Sequence, residues 1–257
     1  MPPVDALGYR ARISILLPAS NTIGEPECAQ LAPVGVTNQT VRLAPTPPSA
    51  TATVGGLETY RGALAAKIPP IEDAIRVALQ ATPKAIILAH AMDTFRGGVD
   101  GAKAMADALA PSANGVPVVI PSLAYLDALN AMGVKPGARI AGLTPYWPKE
   151  DEDLKAFFVD AGYEVTRVTG LKCNGGAEIA GVTEAQIIAA LRDLAADRPG
   201  AIVLPGTNMA STRVADQATA WLGLPVLCCN TVCYWRALRT AGIEDRITGF
   251  GPLLATC

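Results

Sequence analysis

Residues 12–18 read RISILLP, and residues 139–145, in the middle of the chain, read RIAGLTP. Both stretches are short apolar runs that end at a proline, a pattern typical of strands buried on both faces of a parallel sheet. The recurrence of one pattern at two distant places indicates an internal repeat. The chain is therefore expected to consist of two similar halves.

The repeat continues along both halves. AIIL at 85–88 corresponds to AIVL at 201–204, and GVPV at 115–118 corresponds to GLPV at 223–226. Three matches in the same order rarely arise by chance, and Ala-rich segments of helical period separate them. The pattern predicts eight strands, at residues 12–17, 36–43, 84–89, 117–120, 139–143, 164–169, 201–204 and 225–227.

The predicted fold class is α/β, with two pseudo-symmetric, doubly wound lobes that each contain a four-stranded parallel sheet. The first lobe is expected to comprise residues 1–121 completed by 230–257, and the second lobe residues 122–229. Ligands bind beyond the carboxyl ends of the strands in such sheets. The active site is therefore expected in the cleft between the lobes, surrounded by the loops at 18–22, 90–94, 144–147 and 206–209.

Composition excludes several classes of partner. The chain has 257 residues, of which 50% are hydrophobic and 17% are charged, and its formal net charge is −2. Its basic residues are scattered singly, so no nucleic-acid partner is expected. The N-terminal residues lack the pattern of a signal peptide, and no apolar run approaches the ~20 residues that span a bilayer. We expect a cytoplasmic protein with no membrane partner.

The sequence also argues against a metal or a cofactor. The six cysteines lack the spacing of metal sites, and His90 is the only histidine. Reduced, mostly buried thiols are the simpler interpretation. Gly175 and Gly176 form no nucleotide-binding motif, and no P-loop sequence occurs. We therefore expect neither a metal nor a cofactor.

The loop at 18–27, PASNTIGEPE, resembles the first loop of maleate cis-trans isomerases, and TPY at 144–146 resembles their midpoint loop. Those enzymes belong, with arylmalonate decarboxylase, to the aspartate/glutamate racemase superfamily. The resemblance extends over nearly the whole chain, as far as GLPV at 223–226. It implies the two-lobed fold, a small-molecule carboxylate substrate and assembly into a homo-oligomer.

The resemblance also implies a departure from the chemistry of that superfamily, which usually depends on a cysteine at the third-strand end of each half. His90 and Thr207 are taken to occupy those two positions, and no cysteine of this chain lies at a matching one. Racemisation by two thiols and isomerisation through a cysteine adduct are therefore not expected.

His90 is the expected acid/base, because histidine is the side chain whose unperturbed pKa, about 6.5, lies near neutrality. The alternative is a histidine satisfied within the core. As a neutral imidazole, His90 would remove a proton or activate water, and as imidazolium it would return the proton. Asp93 and Thr94 would either orient His90 or cap their own helix.

The remaining predicted site residues would hold the substrate. Ser20, Asn21 and Thr22 precede a helix, where side chains and free N–H groups bind a carboxylate or simply cap the helix. The resemblance assigns substrate contacts to Asn21 and Asn174. Tyr146 would donate its hydroxyl to a carboxylate or pack as an aromatic ring.

An oxyanion site is expected across the cleft from His90. Thr207 would donate its hydroxyl to a developing negative charge, alongside the backbone N–H groups of Asn208 and Met209. The alternative is that Thr207 and Asn208 cap the helix that follows them.

These residues favour a cofactor-independent isomerase or lyase. It would act on a small carboxylate or dicarboxylate through an enolate-like intermediate, with His90 transferring the proton. A hydrolase of a small lactone, imide or amide, with His90 activating water, is an alternative. A non-catalytic protein that binds a small carboxylate is another.

Overall fold

The computed structural model describes residues 5–44 and 56–257. Eight strands fall into two groups. The first half contains β1 (Ala11–Pro18), β2 (Val36–Leu43), β3 (Ala85–Leu88) and β4 (Val118–Val119). The second half contains β5 (Arg139–Thr144), β6 (Glu164–Gly170), β7 (Ala201–Leu204) and β8 (Val226–Cys228).

The helices lie between and after these strands. They are α1 (Gly24–Leu31), α2 (Gly56–Ala78), α3 (Gly98–Leu109), α4 (Pro121–Ala131), α5 (Pro148–Asp160), α6 (Gly176–Ala180), α7 (Glu184–Ala195), α8 (Thr212–Leu222), α9 (Cys229–Thr240) and α10 (Pro252–Thr256). Short 3₁₀ turns cover Leu79–Ala81 and Met92–Thr94.

The two sheets have the same topology. Their strand orders are β2-β1-β3-β4 and β6-β5-β7-β8, and every pairing is parallel. Both the fold class and the eight predicted strands are confirmed, with each strand end within one residue of its prediction. The register repeats as well, because Ile13 pairs with Ala85 in the first sheet and Ile140 with Ala201 in the second.

One hydrophobic core joins the two halves. Phe95, which follows β3, packs against Phe157 of α5 with ring centroids 5.1 Å apart and nearly perpendicular rings. Phe158 packs edge-on against Phe157 at 5.3 Å. All three side chains are fully buried. Edge-to-face pairs add about 0.5–1.5 kcal/mol to the burial of such rings, so the aromatic cluster ties α5 firmly to the first half.

Helix α9 follows the last strand of the second half but packs on α1 and β3 of the first half. This packing agrees with the expectation that residues 230–257 complete the first lobe. Helix α4, which was assigned to residues 122–229, packs against α9 as well. The proposed division between the lobes therefore stays a prediction.

Four of the six cysteines are buried and all six are free. Within residues 5–44 and 56–257, no group of three or more His, Cys, Asp and Glu side chains is placed to hold a metal ion. No helix in the described part of the chain is both long enough and apolar enough to cross a membrane.

Candidate functional site

A cavity of about 330 Å³ lies beyond the carboxyl ends of β1, β2 and β3 and is closed on one side by α2. Most of its wall is apolar, from residues such as Leu43 and Ile71. Among the described residues, its polar and charged lining comes from Ser20, Lys67, His90 and Asp93. The carboxyl ends of the strands are where the fold predicts a ligand.

His90 and Asp93 form a hydrogen-bonded pair at this cavity. The chain turns through Met92–Thr94 directly after β3, which brings the two side chains together. His90 Nδ1 lies 2.8 Å from Asp93 Oδ2, and the two side chains are 36% and 11% exposed. Since Nδ1–H donates to the carboxylate, the neutral ring carries its lone pair at Nε2. Asp93 therefore orients His90, one of the two roles open to it from sequence.

Two further cations hold the Asp93 carboxylate. Its Oδ1 accepts a hydrogen bond from the buried ammonium of Lys67 and another from Arg96 Nη1 at 2.9 Å. Burial alone would raise the pKa of Asp93, but the hydrogen bonds and charges of His90 and Lys67 outweigh it and hold the pKa well below its usual range. Asp93 is therefore a carboxylate at neutral pH.

Arg96 links this cluster to the second half of the chain. Its Nε lies 3.2 Å from Asp153 Oδ2, and its Nη2 lies 3.7 Å from Glu150 Oε1, both on α5. The Arg96 side chain is only 10% exposed. The carboxylates of α5 therefore compensate much of its charge on the side away from the cavity.

Asn21 is buried and fully engaged within the protein. Its Oδ1 accepts from the N–H groups of Ile23 at 3.1 Å and Gly24 at 2.8 Å, which caps the start of α1. Its Nδ2 donates to Thr207 Oγ1 at 2.9 Å. The geometry favours the capping alternative for this residue and adds a link between the halves.

Asn208 forms a second link between the halves. Its Oδ1 accepts from the N–H of Thr22 at 2.8 Å, and its Nδ2 donates to the carbonyl of Gly176 at 2.7 Å. The N–H groups at 22–24, expected to bind a carboxylate, are therefore occupied by side-chain amides. Ser20 remains exposed at the cavity, with its side chain against Gly176.

Gly206, rather than Thr207, mirrors His90. Leu88 ends β3 and Leu204 ends β7, and both lie at the same register in their sheets. His90 and Gly206 each lie two residues beyond those ends. The prediction that Thr207 occupies the position equivalent to His90 was therefore wrong by one residue. The sequence repeat gives the same count, because AIIL at 85–88 and AIVL at 201–204 align without a gap and place His90 opposite Gly206.

Thr207 and Met209 serve the structure around this loop. The Thr207 hydroxyl donates to the carbonyl of Ala89 at 2.9 Å and accepts from Asn21. The Met209 side chain is fully buried, and its N–H donates to the carbonyl of Gly206 at 3.3 Å. Two of the three groups expected in an oxyanion site, the Thr207 hydroxyl and the Met209 N–H, are thus already hydrogen-bonded.

Tyr146 lies beside Gly206, as a Cβ added at Gly206 would be 3.8 Å from the Tyr146 hydroxyl. Burial raises the pKa of Tyr146 well above its usual value, so the phenol is a proton-bearing donor. Tyr146 is not among the residues that line the cavity. A role in substrate binding stays a prediction.

Asn174 and Thr94 are used elsewhere. Asn174 is exposed and bonds to the Glu178 carboxylate at 3.0 and 3.2 Å, away from the cavity. Thr94 is buried, and its hydroxyl donates to the carbonyl of Ala91 and accepts from the N–H of Ser122. Thr94 therefore anchors the start of α4 and does not contact His90.

Lys67 was missed in the sequence, although a signal for it exists. Ile71, Ala74, Ile75 and Ala78 recur at helical spacing and are all buried. Lys67 lies four residues before Ile71 and so falls on the same apolar face. A charged residue within such a stripe needs a buried partner, which Asp93 provides.

The comparisons agree with this fold. The family model described as arylmalonate decarboxylase matches residues 40–254. A variant of maleate cis-trans isomerase from Nocardia farcinica, with a covalently bound succinylcysteine intermediate, superposes with a TM-score of 0.81 at 22% identity, covering 96% of this chain and 99% of that one.

Two other solved structures are similar. Maleate isomerase Iso from Pseudomonas putida S16, as a variant with maleate, gives a TM-score of 0.78 at 19% identity, over 95% of this chain and 97% of that one. Arylmalonate decarboxylase gives 0.77 at 19% identity, over 96% and 100%. No curated protein matches the sequence.

Proposed function

This chain belongs to the arylmalonate decarboxylase family within the aspartate/glutamate racemase superfamily, and from that premise we propose that it is a cofactor-independent lyase that decarboxylates a small dicarboxylic acid. The observation that carries the proposal is the pair of His90 and Asp93 on the cavity wall, with Nδ1 and Oδ2 2.8 Å apart. This arrangement supports an acid/base role for His90 at the strand ends, where sheets of this kind bind ligands.

The proposed reaction needs one proton. The bond between the α-carbon and the departing carboxylate breaks, its electron pair enters the enolate of the remaining carboxyl group, and CO₂ leaves. His90, protonated at Nε2, then delivers that proton to the α-carbon and regains one from solvent. Asp93 holds the ring in place and stabilises its charged form.

The asymmetry of the site favours this reaction over a racemisation. Racemisation requires an acid/base group on each side of the substrate, whereas the position that mirrors His90 is Gly206, which has no side chain. No cysteine is among the described residues that line the cavity. An adduct such as the succinylcysteine of the Nocardia enzyme is therefore not part of the proposal.

Turnover by His90→Ala tests the proposal. Loss of the proton donor is expected to lower kcat by about 10²–10⁴-fold. The substrates would be a phenylmalonate and maleate. Turnover would be measured as CO₂ release and, in D₂O, as incorporation of deuterium at the α-carbon of the product. Binding of phenylacetate, the expected product, should survive in the variant.

The matched control is Lys103→Ala, which removes an exposed charge of α3, where the lysine is 62% exposed. It should turn over like the wild type. Unchanged turnover by His90→Ala would refute the assignment of His90. Conversion of maleate without CO₂ release would show an isomerase in place of a decarboxylase.

A further inference from the structure

Lys67 is a buried ammonium that also lines the cavity. Its side chain is only 6% exposed, and within the described part of the chain its acceptor is Asp93. An ammonium has three N–H donors, so one bond to Asp93 leaves two for another acceptor. A cation removed from water at this cost is expected to have a further partner.

The charges around Asp93 leave the cavity wall electropositive when His90 is protonated. Asp93 compensates the charge of Lys67 on the cavity side. The charge of Arg96 is shared between Asp93 and Asp153, and Asp153, 3.2 Å from Arg96, is not among the residues that line the cavity. When His90 is protonated, the wall carries two cations, Lys67 and His90, against the single carboxylate of Asp93. One additional negative charge in the cavity would balance them.

The backbone donors expected at the start of α1 are already engaged. The N–H groups of Thr22, Ile23 and Gly24 are bound to the side-chain amides of Asn21 and Asn208. The polar side chains that remain on the described wall, besides the pair of His90 and Asp93, are those of Lys67 and Ser20. A carboxylate in this largely apolar cavity must therefore bind there.

We propose that Lys67, assisted by Ser20, is the carboxylate-binding subsite of the cavity. The identity of the acid rests on the proposed function. In that reaction, Lys67 would hold the carboxyl group that the product retains. Bound to Lys67, that carboxyl lies beside the pair of His90 and Asp93, so that the adjacent α-carbon is brought toward His90.

The test compares the binding of phenylacetate and phenylacetamide, which differ in charge and little in shape, by calorimetry. The wild type should prefer the carboxylate by about tenfold to a hundredfold, as charge-assisted hydrogen bonds usually do. Lys67→Met should lose that preference while binding phenylacetamide within about threefold of wild type. Lys67→Arg should keep part of the preference, and Lys103→Met, at an exposed position, should keep all of it.

Each outcome supports or refutes the subsite. The inference is overturned if the wild type does not prefer phenylacetate over phenylacetamide, or if Lys67→Met keeps that preference. Equally weaker binding of both ligands by Lys67→Met would show that the lysine is only structural. If Lys67→Met does not fold, Lys67→Gln takes its place with the same expectation. Preference that depends on Lys67 without turnover of any acid would refute the proposed function alone. Turnover that depends on His90, with preference unchanged in Lys67→Met, would refute the subsite alone.

Discussion

Asp93→Asn removes one charge from the centre of the site and keeps the shape of the side chain. The carboxylate holds His90 Nδ1 at 2.8 Å, Arg96 at 2.9 Å and the buried ammonium of Lys67. An asparagine can present its amide nitrogen to His90 Nδ1, which favours a neutral ring with its proton at Nε2. That neutral ring is a far weaker acid than the imidazolium that Asp93 stabilises. By analogy with the orienting aspartate of serine-protease triads, kcat should fall by about 10²–10⁴-fold.

The same substitution should destabilise the fold. Breaking a buried ion pair costs about 3–5 kcal/mol. The lower end, about 3 kcal/mol, is expected here because Arg96 keeps Asp153 at 3.2 Å and the amide oxygen can still accept from Lys67. In a chain of this size, such a loss lowers Tm by roughly 6–12 °C. Thermal melts monitored by circular dichroism would measure it.

The difference in stability between wild type and Asp93→Asn should depend on pH. The pKa of Asp93 is held below its usual range, so its contribution is present above the unfolded value near 3.9 and is lost as pH falls further. Burial lowers the pKa of Lys67, and losing Asp93 lowers that pKa further. Between that lowered pKa and about pH 10.4, the unfolded variant binds more protons than the folded one, so its stability rises with pH in that window. The gap should be widest near neutrality and narrow at both ends.

Two results would refute this reasoning. Turnover within threefold of wild type would show that the contact between Asp93 and His90 does not orient the acid/base. A stability gap that stays constant from pH 3 to pH 10 would show that Asp93 and Lys67 are not coupled. Asp107→Asn is a matched control, since Asp107 is on the same half and lies outside the cluster.

Two further substitutions test the loops that join the halves. Asn208→Ala leaves the N–H of Thr22 without its closest acceptor, and chemical denaturation should show that the free energy of unfolding falls by about 1–3 kcal/mol. Asn174→Ala, at an exposed residue, is the control and should change the free energy of unfolding by less than about 0.5 kcal/mol. Gly206→Ala places a Cβ on a backbone with φ of +136°, 3.0 Å from Pro145 Cδ. The free energy of unfolding should therefore fall by at least about 1–3 kcal/mol, and an unchanged Tm would contradict this strain.

The repeat made the fold predictable because each strand is defined by its own short run of apolar residues. AIIL and AIVL recur, and both became third strands of equal length, Ala85–Leu88 and Ala201–Leu204. The carboxyl ends of the strands pointed to the cavity from topology, but the described residues that line it all belong to the first half, whereas a cleft lined by both halves was expected. His90 could be selected for the same reason, since it directly follows one of those strands.

The rest of the site depends on distances that no sequence pattern contains. Whether Asn21 binds a ligand or caps α1 is decided by its bonds to Ile23 and Gly24. Capping and anion binding require the same residue types at the same helix start, so the sequence leaves both open. Lys67 lies 23 residues before His90 (90 − 67) on another element, and only the tertiary fold brings it to Asp93.

The contact between Arg96 and α5 limits whether either half of this symmetric chain can fold as a separate fragment. Arg96 belongs to the half that carries His90, but its carboxylate partners Asp153 and Glu150 come from the other half, as does the ring of Phe157 that covers Phe95. A fragment cut between the repeats would leave the buried Arg96 guanidinium with Asp93 but without its two carboxylates on α5, and would expose the ring of Phe95. The two repeats are therefore not interchangeable modules, and activity should return only when both fragments are mixed and reassociate.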